Sequence, residues 1–288
     1  MALGLAAALA ACLCYGIASV FQAIGARAVE QRNGVDPKLI MRVMRSLPFL
    51  GGTAIDTLAL VFNFFALRNL PLFTVQAVIN TNLAVTAVVS VLLLGATLNT
   101  RDKLAVITVV GGLTMLGIAS GREGSGSFDV SQRWIILVIA LVLSATALAI
   151  GNLYKKPHPA LLGGLAGFLF GLFGIAVRVL PTLTPSHLIV DPGAYAALVS
   201  SGTAFLLFTT ALQRGSVTAA TAALVVGETA VPALIGLIFL GDTTRHGYAP
   251  VGVLGFLFAV GGALALARFG EPVDEQHVVE ELVEQVTV

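Results

Sequence analysis

The sequence predicts an all-α polytopic membrane protein. It should have about nine transmembrane helices, arranged as two inverted four-helix repeats joined by a connector helix. Three observations predict this. Of 288 residues, 57% are hydrophobic and 11% charged, with a mean hydropathy of +0.95; a soluble domain is about 25% charged. Apolar runs of about 20 residues recur, the length needed to cross the hydrocarbon core of a bilayer. Short elements of the first half also return, in the same order, in the second.

The runs fall at roughly 2–24, 47–67, 71–95, 103–120, 134–153, 160–180, 192–213, 216–240 and 248–268. Breakers separate them. Asn69-Leu70-Pro71 divides the second from the third, and the Gly/Ser stretch Gly121–Ser127 precedes the fifth. Lys155-Lys156-Pro157-His158-Pro159 ends the fifth, and Pro181, Pro185 and Pro192 bracket the loop after the sixth. Proline lacks a backbone donor and clashes with the preceding turn, so it ends or kinks helices. The segment 24–46 reads as a basic loop. Leu9-Ala10-Ala11-Cys12 resembles a lipoprotein cleavage box, but no basic residue precedes it and the apolar run continues to Phe21; an ordinary first membrane helix is expected.

Because loops alternate sides, basic residues set the orientation. One side collects Arg27, Arg32, Lys38, Arg42, Arg45, Arg101, Lys103, Lys155, Lys156, Arg214 and Arg268; the other has Arg68, Arg122, Arg133, Arg178 and Arg245. The richer side is expected to be cytoplasmic. That places the N-terminus outside, the C-terminus inside, and the chain in a bacterial cytoplasmic membrane. The tail 269–288 is acidic, with Val278, Val279, Leu282, Val283 and Val286 at helical spacing. Cys12 and Cys14, two apart in one helix, point to different faces and are not expected to bridge.

Two carboxylates sit where a membrane helix least tolerates them. Asp56 is central in Leu47–Leu67 and Glu228 in Ser216–Leu240. An acid at bilayer depth costs about 2.5–3.5 kcal/mol on insertion scales, so it normally faces a bundle interior or a wet cavity. Other polar residues at depth are Asn63 on the second span and Gln76, Asn80 and Asn82 on the third. Asp56 and Asn63 are seven apart and share a helix face. These residues form the expected substrate site, with Asp56 and Glu228 as the metal ligands if the solute is a cation. Oxygen donors suit a hard ion such as Mg²⁺. The same set also suits an amine or polar metabolite, with Glu228 carrying a coupling proton. Pro232 lies one turn after Glu228 and frees that residue's carbonyl at a kink. Gly163, Gly167 and Gly171 form a small-residue ridge suited to close helix packing. No nucleophile–base pair, phosphate loop, dinucleotide fingerprint or zinc spacing is present. The chain therefore reads as neither an enzyme nor a cofactor protein, and no basic patch points to nucleic acid.

The repeat rests on four matches. Tyr15-Gly16-Ile17-Ala18 matches Phe173-Gly174-Ile175-Ala176, and Ala66-Leu67-Arg68 matches Ala211-Leu212-Gln213. Leu92-Leu93-Leu94-Gly95 matches Ile238-Phe239-Leu240-Gly241, and Gly111-Gly112 matches Gly261-Gly262. Matched spans are five apart, so the second copy crosses in the opposite sense. Transporters built this way hold substrate near the midplane between repeats. Aligning Gly95 with Gly241 sets Asn82 opposite Glu228. The implied divisions are 1–120 (first repeat), 121–159 (linker and connector helix), 160–268 (second repeat) and 269–288 (cytoplasmic tail).

This organisation resembles the drug/metabolite transporter superfamily, and most closely its NIPA-type magnesium transporters. The residues that carry the resemblance are Asn63-Phe64, Ala66, Pro71 and Val75, followed by Leu94-Gly95 and Gly111-Gly112. The chain departs from the pattern at Gly95-Ala96, which lacks an acid, at Gly241-Asp242, and at Gln76-Ala77-Val78. The resemblance implies a secondary transporter or facilitator of a small solute, with Mg²⁺ as one candidate. A proton-coupled exporter of an organic metabolite or amine is the alternative, and a non-transporting membrane scaffold is the second class. The expected partners are the bilayer and a small-molecule or ion substrate.

Overall fold

The computed structural model describes residues 2–70, 75, 78–121, 129–153, 157–180, 188–235 and 243–269. Among them helix is the only regular secondary structure, apart from one isolated antiparallel bridge between Ser120 and Thr244. The helices are α1 (Ala2–Arg27), α2 (Leu39–Val43), α3 (Leu47–Asn69), α4 (Asn82–Leu94), α5 (Thr100–Ala119), α6 (Val130–Leu153), α7 (Pro159–Arg178), α8 (Pro192–Arg214), α9 (Val217–Ile235) and α10 (Ala249–Phe269). Seven of them, α1, α3, α5, α6, α7, α8 and α10, are long and apolar enough to cross a membrane. Asn82–Leu94 and Val217–Thr229 are shorter apolar helices. The chain is an integral membrane protein of the all-α class. Gln76, the Gly/Ser linker, Lys155-Lys156 and the acidic tail lie outside the described residues.

Local sequence accounts for most boundaries. Pro159 and Pro192 open α7 and α8, where a missing N–H costs nothing. Asp191 accepts a hydrogen bond from Gly193 N at 2.8 Å, and Asp102 accepts one from Asn99 N at 3.0 Å; both satisfy donors that a helix start leaves free. Gly95 closes α4 with φ +64, a conformation that costs glycine least.

Two elements correct the sequence reading. The basic loop 24–46 is partly structured: α1 runs on to Arg27, and α2 sits inside the segment with Leu39 and Val43 buried in the main core. The reason is tertiary. Five residues do not make a stable helix alone, but Leu39 and Val43 share one face and dock against α8. The third span, expected as one helix, is interrupted. Val75, Val78 and Ile79 are helical, Asn80 and Thr81 form a turn, and α4 starts at Asn82. Thr81 bonds Val78 O through both its N–H (3.1 Å) and its hydroxyl (2.6 Å), which satisfies the broken turn locally.

Packing relies on close approach of small residues, as expected where lipid is as apolar as the side chains. A Cβ on Gly163 or Gly167 of α7 would strike the α9 backbone at Ala220 or Leu224. The glycine ridge is therefore a packing surface. On α5, Gly112 sits against Gly255 and Ala259 of α10, and Gly262 of α10 sits against Ala105 and Val109 of α5. Only one glycine of each Gly-Gly pair is at the contact; Gly111 and Gly261 meet nothing. α1 packs on α3 and α4, just as α7 packs on α8 and α9. α8 is the most enclosed helix and also touches α1, α2, α6 and α9. Arg133, read as a loop residue, instead lies in α6, where it forms a buried ion pair with Asp191 at the start of α8.

Candidate functional site

α3 presents one stripe to α1: Phe49, Gly52, Asp56, Ala59, Asn63 and Ala66, at alternating three- and four-residue steps. Phe49, Gly52, Ala59 and Ala66 are buried, and Phe49 and Gly52 lie directly against Gly25 and against Ala18 and Gln22 of α1. Asp56 and Asn63 are half-buried members of the same stripe. Their seven-residue spacing brings them to one inward face, as read from sequence.

Tyr15 of α1 joins them. The Asn63 side chain lies beside the Tyr15 hydroxyl, and that hydroxyl lies in the electrostatic field of both Asp56 and Glu228. Asp56 in turn acts on Glu228. The two carboxylates, from α3 and α9, therefore share one electrostatic neighbourhood with Tyr15. Among the described residues neither has an ion-pair partner. Glu228 is exposed on α9.

The asparagines sort into different positions. Asn63 Oδ1 and Asn82 Oδ1 are buried and, among the described residues, have no hydrogen-bond partner. An unsatisfied buried carbonyl costs about 1–3 kcal/mol, so these acceptors favour a donor or a cation. Asn82 opens α4 beside α1: its backbone oxygen lies against Gly16 and accepts from Thr86 Oγ1 at 3.0 Å. Asn80 is buried in the turn that breaks the third span. Gln76 is outside the described residues. Pro232 is helical within α9, so the Glu228 carbonyl one turn earlier lacks its usual N–H partner. Among the described residues no group of three or more His, Cys, Asp or Glu side chains could hold a metal ion. Any ion here would rest on two carboxylates, neutral oxygens and its own water.

Sequence reasoning missed Tyr15 as a site residue. Its signal was present in the repeat match, where Tyr15 aligns with Phe173: one copy carries a hydroxyl that the other lacks. Comparisons with protein-family models, with curated proteins and with solved structures find no match to this chain.

Proposed function

We propose that the protein is a secondary transporter or facilitator that moves a small, positively charged solute through a central site made by Tyr15, Asp56, Asn63, Asn82 and Glu228. One observation carries the reading: Tyr15, Asp56 and Glu228, from three separate helices, share one electrostatic neighbourhood, and among the described residues neither carboxylate has an ion-pair partner. A scaffold has no need of two acids at that depth. An acceptor-rich site without a cationic side chain selects a donor-rich solute, either a hydrated divalent cation or an organic amine.

Nine crossings in two inverted repeats fit the packing. The contacts of α1 with α3 and α4 correspond to those of α7 with α8 and α9, and the α4–α5 contact corresponds to α9–α10. Gly112 on Gly255 and Ala259 mirrors Gly262 on Ala105 and Val109, each residue displaced by the same step along the chain. On this reading the break at Asn80–Thr81 is a discontinuous helix of the kind that lines midplane sites. The drug/metabolite type of transporter, and its NIPA-type branch, rest on the motif from Asn63 to Val75. By the bias of basic residues, α1 begins outside and α10 ends in the cytoplasm.

The test is reconstitution into vesicles. Mg²⁺ entry is followed with a fluorescent indicator, with and without a pH gradient, and proton release is followed on adding an organic amine. Glu228→Gln should lower either flux by at least tenfold while the protein still inserts and purifies as a single species; Asp56→Asn should lower it less. Full flux in Glu228→Gln would reduce that residue to a packing role. Absence of movement of both probes in the wild type would remove the transport reading.

A further inference from the structure

The C-terminal ends of α1 and α8 meet on the face that carries most basic residues, and each end caps the other. Arg27, the last residue of α1, donates through Nε to Leu212 O (3.0 Å) and through Nη2 to Gly215 O (2.6 Å) at the end of α8. In return Gln213 Nε2 of α8 donates to Ala26 O and Val29 O, both at 3.0 Å. Arg214 Nη2 reaches Gly34 O at 2.6 Å and also bonds Arg32 O. Val35 N then donates to Asn152 Oδ1 of α6 at 2.9 Å, which ties the far end of the segment down. Two helix C-termini each carry about half a negative charge and free carbonyls. They would repel if brought together bare. Here two guanidinium groups and an amide, all donors, fill the gap.

On the opposite face the positions that match this clasp, Arg68 and the segment 181–187 after α7, lie outside the described side chains. In the repeat alignment α7 takes the place of α1, and Arg68 near the end of α3 takes the place of Gln213. Among the described residues α3 packs mainly on α1.

We propose that this reciprocal clasp of Arg27, Gln213 and Arg214 is the gate on the basic face, closed in this structure, and that solute exchange on that face requires its release. The proposal rests on the transport reading, but its test does not need a solute. In a Cys12→Ala, Cys14→Ala background, Ser19→Cys places a thiol one turn from Tyr15, between the central site and the clasp. Ser19 is half-buried and bonds only Tyr15 O, at 3.1 Å. Lys38→Cys, exposed on the basic face, reports which face a membrane-impermeant maleimide reaches. With the clasp intact, Ser19→Cys should label slowly from the basic face. Adding Arg27→Ala and Gln213→Ala should speed that labelling at least fivefold, whereas Arg27→Lys, which keeps a donor, should stay close to the slow rate. Equal rates with and without the clasp would overturn the proposal. If the double variant does not purify as a single species, Gln213→Leu alone removes the donors to Ala26 and Val29 and carries the same comparison. Labelling that responds while no solute moves would sink only the transport reading; flux with unresponsive labelling would sink only the gate.

Discussion

α3 and α8 have the same length and differ in how they are enclosed. α8 is enclosed: fourteen of its residues are buried, including Leu207, Leu212 and Ala204 with no exposure. It carries no acid within its length, and it touches α1, α2, α6, α7 and α9. α3 has the same length, yet only its stripe toward α1 is covered, and Leu60, Val61 and Phe64 lie exposed on its outer side. It nevertheless holds Asp56 and Asn63. The candidate site residues Asp56 and Asn63 thus sit on the helix with fewer neighbours among the described residues. A helix held on one face can shift against its neighbours at lower cost than one held all round.

The contrast breaks most sharply at the anchor of α8. Asp191→Ala removes the partner of buried Arg133 and the acceptor for Gly193 N. Leaving a buried charge alone costs about 3–5 kcal/mol, so the apparent Tm in detergent should fall further than for any single change on α3. A paired comparison of a buried and an exposed leucine comes next. Leu207→Ala, at a fully buried position, should cost about 2–5 kcal/mol. Leu60→Ala, at a position 56% exposed on α3, should cost less than about 1 kcal/mol. Equal losses would mean that α3 is as firmly held as α8.

The smallest effect concerns the segment between α1 and α3. Asp36 is held below the usual carboxylate range, chiefly because Lys38 N–H donates to it at 2.9 Å and then because Arg42 approaches to 2.8 Å. A depressed folded value means that the charged form stabilises the fold. That contribution is fully present at neutral pH and is lost as pH falls through the depressed value, below the ordinary carboxylate value of about 3.9. The pair is partly exposed, so the effect stays below about 1 kcal/mol. Thermal melts from pH 7 down to pH 3 should show this acid-dependent loss in the wild type and not in Asp36→Asn.

Much of this was legible in the chain. The apolar runs, prolines and glycines located the long helices to within a few residues, because lipid imposes one length and one polarity on every crossing. Asp56 and Glu228 announced themselves by their cost, and the seven-residue step put Asn63 beside Asp56. Other features left no local trace. α2 is too short to show periodicity and exists because Leu39 and Val43 find a core. The break at Asn80–Thr81 follows from hydrogen bonds within one turn that composition does not reveal. Arg133 looked like a loop charge until Asp191 was brought to it.

What the sequence by itself determined is the class: an all-helical membrane protein with acids inside the bilayer. These follow from residue type and spacing along one helix, where neighbours three, four and seven apart share a face. What only the tertiary structure decided is which residues meet. Tyr15 beside Asn63, Glu228 in the field of Asp56, and Arg27 against Gln213 join residues 48 to 186 positions apart in the chain. Such meetings depend on how helices cross, and crossing is set by small residues packing in three dimensions rather than by any pattern within one segment.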